Sequence, residues 1–231
     1  MTFLKKIAAA LAVLITVGAL AACSSTQPKY DAKEPLGPQI NYTITGIDAG
    51  AGVMTSTDKA LKAYGLVDKK WQLQPSSTAA MTSTLQKAIA DKRPIVVTGW
   101  TPHWMFTKFP LKFLKDPKNV YGKTEQIHTI VRKGLKQDAP QAYQVLDQFH
   151  WTPEEMSSVM LAVNGGKDPA EAAKAFVKKH PEQIAQWTKG VTHVSGKPKL
   201  TMTYIAWDSE IASTNVVATV LRQIGYNVTI R

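Results

Sequence analysis

The chain has 231 residues, and its 28 Lys and Arg against 17 Asp and Glu give a formal net charge of +11. Such an excess is typical of nucleic-acid binding, but the lysines are scattered and no block of five or six like charges occurs, so we expect no nucleic-acid partner. The single cysteine, Cys23, excludes an intrachain disulfide and leaves the folded part without a candidate for thiol catalysis.

The N-terminus has the layout of a secretory signal peptide. A basic start, "MTFLKK", precedes an apolar stretch of 14 residues, which is shorter than the ~20 residues needed to span a bilayer. The small residues of "LAAC" follow, and this segment resembles a bacterial lipobox. The resemblance implies that residues 1–22 are removed and that Cys23 is lipidated, which places the protein on the extracytoplasmic face of the cell membrane. An ordinary signal peptide with a chance cysteine is the alternative.

Residues 23–40 begin with the cysteine that is expected to be lipidated. The segment is polar and rich in Ser, Pro and Lys, and this composition predicts a flexible tether. Removal of residues 1–22 takes away two lysines and no acid, so the formal charge falls from +11 to +9. A basic surface on an exported protein fits an anionic membrane or cell wall.

Strand and helix signals alternate from residue 41 onward. "NYTITGI", "KWQLQ" and "PIVV" predict three strands, and a glycine-rich turn, "DAGAGV", follows the first. "TSTDKALKAYGL" predicts a helix that begins at Thr55 with a Thr or Ser cap and ends at Gly65. "SSTAAMTSTLQKAIADK" predicts a second, amphipathic helix. This order predicts a parallel α/β sheet. The apolar face of the second helix consists of Met81, Leu85, Ala88 and Ile89.

The rest of the chain divides into a helical region and a final strand–helix–strand unit. "TPEEMSSVMLAVNGG" predicts a helix with Thr152 as N-cap and Pro153 in its first turn, and "DPAEAAKAFVKKH" repeats an Asp-Pro start. "LTMTYIAW" and "YNVTIR" predict strands on either side of a helix that is capped by Asp208 and ended by Gly225. We therefore assign residues 41–198 to a first lobe with the helical region, and residues 199–231 to the start of a second lobe.

Three features follow directly after predicted strands and are candidates for one binding site. They are the glycine turn, Trp100 in "TGWTPHW", and Trp207 in "IAWDSE". In open α/β sheets, ligands bind outside the carboxyl ends of the strands. The helix start at the glycine turn offers free N–H groups to an anion, and indole faces attract cations that cannot donate hydrogen bonds. The combination predicts a zwitterion with a methylated nitrogen, against the alternative of a tight turn and packed tryptophans.

Two neighbouring side chains have supporting interpretations. His103 is predicted to orient its loop by a hydrogen bond. Asp208 is predicted to cap its helix, with added negative potential for a cationic group as the alternative. The other tryptophans lie within helix and strand patterns, and we predict that they are packing residues: Trp71, Trp104, Trp151 and Trp187.

These segments carry a family resemblance. "GIDAGAGVM", "SSTAAMTSTLQKAI", "TGWTPHWMF", "LKFLKDP" and "IAWDSEIAS" resemble the glycine betaine-type substrate-binding proteins of osmoregulatory ABC importers, from about Tyr42 to the last residue. The resemblance implies a two-lobed, Venus-flytrap fold of the type II periplasmic-binding class. It implies that Trp100 and Trp207 belong to an aromatic box around the ammonium group, that the amides of Gly52 and Val53 hold the carboxylate, and that permease and ATPase subunits are the partners.

The sequence departs from the family pattern in two respects. The order of its halves resembles a circularly permuted branch of the family. The pattern also continues past Arg231 with a third box tryptophan and a histidine, so we expect a truncated second lobe and weak binding. The helix of that lobe is expected to expose an apolar face: Ile211, Val216, Val220 and Ile224.

An exported enzyme that acts on an envelope or choline-type substrate is the competing hypothesis. No Gly-x-Ser-x-Gly or His-Glu-x-x-His motif occurs, and the five histidines have no metal-ligand spacing. We therefore expect no catalytic residues, no metal and no cofactor. A lipoprotein that binds anionic wall polymer through its lysines is a further alternative.

Overall fold

The computed structural model describes residues 29–123 and 127–231. The predicted signal peptide, Cys23 and the first part of the predicted tether lie outside the described residues. The remainder of the tether packs on the domain: the Tyr30 amide donates to the Lys92 carbonyl over 3.2 Å, and Ile40 is buried.

The first segment alternates strands and helices in the predicted order, after a short first helix that was not predicted because it lies in the predicted tether. Its elements are α1 (Leu36–Gln39), β1 (Thr43–Thr45), α2 (Gly52–Ala63), β2 (Gln72–Gln74) and α3 (Thr78–Ala90).

The sheet of this segment is parallel, as predicted. In β1, Ile44 lies opposite Leu73 of β2. On the other side of β1, the predicted third strand is reduced to a parallel bridge between Thr45 and Val97. Pro94 precedes this bridge and cannot donate a ladder hydrogen bond, which limits pairing there. β1 lies between β2 and the bridge at Val97. Because all three stretches are parallel, their carboxyl ends lie at the same edge of the sheet.

The glycine turn is part of a helix. α2 was predicted to begin at Thr55 with a Thr or Ser cap, but it begins at Gly52, and its N-cap is Ala51, which has no capping side chain. This prediction was wrong because a cap without a side-chain oxygen leaves no sequence signal. The predicted end is confirmed, since Gly65 follows the helix with a φ of +61°.

The second segment is helical. Its helices are α4 (Trp104–Lys108), α5 (Leu135–Asp138), α6 (Pro140–Gln148), α7 (Pro153–Asn164), α8 (Pro169–Lys179) and α9 (Pro181–Trp187).

The predicted caps of this segment are confirmed. Thr152 forms a capping box with Glu155: its hydroxyl accepts from the Glu155 amide over 3.2 Å, and the Glu155 carboxylate accepts from the Thr152 amide over 2.7 Å. The Asp168 carboxylate accepts from the first amides of α8. These local bonds satisfy helix-end donors that would otherwise lack partners, so the sequence alone determines where both helices begin.

The last segment is a strand–helix–strand unit, as predicted: β3 (Lys199–Met202), α10 (Asp208–Gln223) and β4 (Asn227–Ile230). The strands pair in parallel, with Leu200 opposite Val228. Gly225 ends the helix at a φ of +108°, where an added Cβ would lie 2.1 Å from the Val194 carbonyl oxygen.

The expectation that α10 exposes an apolar face was wrong. Val216 and Val220 are fully buried, because α10 packs on α7 and α8 as well as on β4. Two of its buried polar side chains bond to its own backbone: the Asn215 side-chain amide donates to the Ile211 carbonyl, and the Thr219 hydroxyl donates to the Asn215 carbonyl, each over 2.8 Å. The helical segment and the last segment therefore share one core across residue 198, and a division into lobes at that residue stays a prediction.

The aromatic residues predicted to pack do so. Trp187 has no exposed surface, lies with its ring centre 4.8 Å from that of Phe149, and donates its indole N–H to the His150 carbonyl over 2.9 Å. Within the described ranges, no helix has the length and apolar character needed to cross a membrane.

Candidate functional site

The glycine turn presents the amino end of α2 to open space. The Ala51 amide donates to the Asp48 carbonyl over 2.9 Å, which closes the turn just before the helix. Gly52 and Val53 occupy its first two positions, where backbone N–H groups have no acceptor inside the helix. A Cβ added at Gly50 or Gly52 would meet nothing within 4 Å. These amides can therefore donate hydrogen bonds to a small anion, which the helix dipole also favours.

The loop that carries Trp100 is held from inside. Gly99 leaves no room for a side chain, since a Cβ would lie 2.5 Å from the methyl carbon of Met105. His103 is fully buried, and its Nδ1 accepts from the Met105 amide over 3.3 Å, so it caps α4. The Trp100 ring meets the His103 ring at a centroid distance of 4.6 Å and an angle of 73°. The prediction that His103 orients this loop by a hydrogen bond agrees with this geometry.

The structure brings Trp207 to the glycine turn. Its indole N–H donates to the Asp48 carboxylate over 3.3 Å, although the two residues are 159 positions apart. Trp207 is also the N-cap of α10 and is half-buried. This hydrogen bond holds the Trp207 indole at the turn that precedes α2, while part of its ring packs against the hydrophobic core.

Asp208 does not cap α10, and the predicted cap was wrong. No side chain caps this helix, because Asp208 is its first residue and its carboxylate points away from the helix amides. It accepts instead from the indole N–H of Trp104. The same carboxylate oxygen lies 3.3 Å from Nε2 of His103, outside the angular range of a hydrogen bond, so this contact is electrostatic.

These contacts keep Asp208 ionised. Burial of the carboxyl acts to raise its pKa, but the His103 ring and the Trp104 indole outweigh burial and hold the pKa of Asp208 below its ordinary value. The Asp208 carboxylate thus satisfies the indole N–H of Trp104, which is costly to bury alone, and places a negative charge beside the buried imidazole.

A cavity of about 330 Å³ opens beside this cluster, between α3 and α7. Asp208 lines it, but neither of the two site tryptophans nor the two α2 residues does. We place the candidate site at the strand ends, because the indole faces and the free amides lie there. The cavity is lined mainly by Thr82, Ser83, Gln86, Met160, Val163 and Asn164.

Sequence reasoning missed two members of this arrangement. Asp48 is the first residue of the glycine turn, which follows β1, and its position just after a strand was an available signal. Trp104 packs with no exposed surface, as predicted, but its indole N–H bond to Asp208 was not expected. No group of three or more metal-ligating side chains occurs among residues 29–123 and 127–231.

Comparison with known proteins gives one consistent family. The model for the substrate-binding domain of ABC-type glycine betaine transport systems matches residues 25–179. A curated relative, the glycine betaine/carnitine transport binding protein GbuC of Listeria monocytogenes serotype 1/2a (strain 10403S), is 65% identical over 99% of this chain and 76% of its own length.

Solved structures agree with the family model. Lactococcal OpuAC, closed around glycine betaine, superposes with a TM-score of 0.62 and 48% identity over 71% of this chain and 64% of its own chain. The glycine betaine/L-proline-binding protein ProX from Borrelia burgdorferi gives 0.59 and 34% identity over 71% of this chain and 62% of its own. The chain therefore spans just under two thirds of the length of these solved structures.

The comparisons confirm the predicted family and the two-lobed, type II binding-protein class. They also confirm the predicted function class, that of a substrate-binding protein of a glycine betaine transport system. The chain belongs to the family of substrate-binding domains of ABC-type glycine betaine transport systems.

Proposed function

We propose that this chain captures glycine betaine, or a closely related quaternary ammonium osmolyte, outside the cytoplasm and delivers it to the permease and ATPase subunits of an ABC importer. The observation that carries the proposal is the contact between Trp207 and Asp48, which sets an indole beside the open amino end of α2. We infer that the indole and the amides at the start of α2 recognise the two ends of one ligand.

The chemistry of each half suits one end of a betaine. A trimethylammonium group cannot donate hydrogen bonds, so it gains from the faces of Trp100 and Trp207. A carboxylate gains from the amides of Gly52 and Val53 at the helix start. Relatives support the ligand class, since the Listeria protein is named for glycine betaine and carnitine and the lactococcal structure holds glycine betaine.

We also propose that the site performs no chemistry and that the protein is held at the membrane by lipid on Cys23. Binding needs only indole faces and backbone amides, so the energy of transport comes from ATP hydrolysis by the partner subunits. A lipid on Cys23 would keep the binding protein close to its permease.

Calorimetric titration with glycine betaine tests the ligand, with carnitine and choline as competitors. We expect saturable binding of glycine betaine that also raises the melting temperature of the protein. Proton NMR of the ligand after prolonged incubation tests the enzyme alternative, and we expect an unchanged spectrum. Absence of any betaine-dependent heat or thermal shift would refute the proposed function.

A further inference from the structure

Two segments that each carry one site tryptophan are joined by a single carboxylate. Trp104 and Asp208 are 104 positions apart, and the Asp208 carboxylate accepts the Trp104 indole N–H while it lies 3.3 Å from Nε2 of His103. His103 in turn contacts the Trp100 ring, and Trp207 directly precedes Asp208. A continuous line of contacts therefore runs from the Trp100 indole through His103 and Asp208 to the Trp207 position.

We propose that Asp208 is a positioning residue of the betaine site, which fixes the separation of the Trp100 and Trp207 indoles by holding the loop 98–104 against the start of α10. This inference rests on the proposed function of the two tryptophans. It assigns Asp208 neither to the helix cap nor to contact with the ligand.

The direction of the side chain supports this role. An aspartate at the start of a helix usually accepts from the helix amides, but no side chain caps α10. The carboxylate is 30% exposed, whereas the His103 side chain that faces it has no exposed surface. Asp208 thus makes no bond to the amides of its own helix. Its carboxylate contacts Trp104 and His103 of the distant loop instead.

The imidazole is suited to receive this contact. Because Nδ1 accepts from the Met105 amide, the ring proton lies on Nε2, the atom that faces Asp208. Nδ1 is hydrogen-bonded within the loop and α4, and Nε2 lies against the carboxylate at the start of α10, so rotation of the ring on which Trp100 rests would break the first contact and displace the second.

The chain offers a matched control on the same helix turn. Glu210 is the other acidic residue in the first turn of α10, and its carboxylate accepts from the neighbouring Ser209 hydroxyl over 2.6 Å. Glu210→Gln removes the same charge near the same helix end without touching the loop 98–104. Asp208→Asn keeps an oxygen acceptor for Trp104, and Asp208→Ala removes it.

The experiment measures affinity for glycine betaine and for dimethylglycine in the full chain and in these three variants. We expect Asp208→Ala to weaken glycine betaine binding by about tenfold, Asp208→Asn to fall between it and the wild type, and Glu210→Gln to stay within about twofold. Glycine betaine has one N-methyl group more than dimethylglycine, and two correctly spaced indoles favour the larger group. If Asp208→Ala misplaces the indoles, the ratio of glycine betaine affinity to dimethylglycine affinity should also fall. A general loss of stability would lower both affinities alike.

NMR of the indole N–H protons provides a readout that does not need a ligand. In Asp208→Asn, the Trp104 and Trp100 signals, assigned with Trp→Phe variants, should move, and in Glu210→Gln they should not. Unchanged indole signals, or an unchanged affinity ratio in a folded Asp208→Ala, would overturn the inference. If the wild type binds no betaine, the proposed function fails, while the indole signals still decide whether Asp208 holds the loop.

Discussion

Replacement of Trp100 by alanine is the most direct test of the cation-binding half of the site. Trp100 is half-buried beyond the bridge at Val97, rests on the buried His103 ring and packs against the edge of the hydrophobic core. Its removal should take away one indole face from the ammonium group and some packing from the edge of the core.

The size of the effect follows from its surroundings. A cation on an aromatic face gains about 0.5–1 kcal/mol at exposed sites and about 2 kcal/mol or more when desolvated. A half-buried indole falls between these limits, so Trp100→Ala should cost about 1–2 kcal/mol, which corresponds to roughly a five- to thirtyfold rise in Kd. Trp100→Phe keeps a smaller ring and should weaken binding less.

Isothermal titration with glycine betaine measures this change. Trp71→Ala is the matched control, because that indole is also half-buried but packs on the Tyr42 ring, with ring centroids 5.8 Å apart, away from the site. We expect the control to bind as the wild type does. Equal affinities for wild type and Trp100→Ala would remove Trp100 from the site and refute the aromatic-box reasoning.

Three further predictions concern the anchor, the fold and the dependence on pH. Cys23→Ser should abolish metabolic labelling by a radioactive fatty acid. Gly225→Ala should destabilise the protein by about 2–3 kcal/mol in urea unfolding, because strain adds to the contact with the Val194 carbonyl. The lowered pKa of Asp208 stabilises the fold above the ordinary carboxyl value of about 4 and loses this effect as the pH falls through the folded-state pKa. The stability difference between wild type and Asp208→Asn should therefore be present at pH 7 and shrink at pH 3.

Each of these predictions has an outcome that contradicts it. Label retained by Cys23→Ser would exclude the lipid anchor at that residue. Gly166 also has a positive φ, +93°, but faces open space, so Gly166→Ala isolates strain from contact. If Gly225→Ala and Gly166→Ala lower the free energy of unfolding equally, the contact with the Val194 carbonyl adds nothing to the destabilisation. A stability difference at Asp208 that is as large at pH 3 as at pH 7 would show that its ionisation does not stabilise the fold.

The sequence predicted the features that depend on neighbours along the chain. Thr152 with Glu155, and Asp168 at the start of α8, form caps whose partners lie within three residues, so their patterns are visible without a structure. The start of α2 was missed because Ala51 caps it with backbone alone. The strand around Val97 was overestimated, since its apolar run indicates burial but not how many residues pair.

The roles of the site residues depend on distant segments and were less accessible. Both strands that were predicted to end at or just before the site tryptophans are shorter than predicted: only a bridge at Val97 precedes Trp100, and β3 ends at Met202, so that Trp207 is the N-cap of α10. Nothing local to Asp208 distinguishes a helix cap from a partner of Trp104, because the two roles differ only in which way the side chain points. The burial of α10 was missed for a related reason. Val216 and Val220 lie on a helix that packs on α7 and α8, and both of those helices end more than thirty residues earlier in the chain.

The contact between Asp48 and Trp207 has a consequence for how the protein acquires its function. It closes a loop of 159 residues, and the entropy lost on closing a chain grows with loop length. Contacts of such long range form slowly and tend to follow local structure. During synthesis, the turn at Asp48 emerges long before Trp207 and must wait for it with its helix amides solvated. Binding competence is then among the last properties that the chain gains, so a betaine-dependent rise in stability would report completed folding rather than the presence of its separate parts.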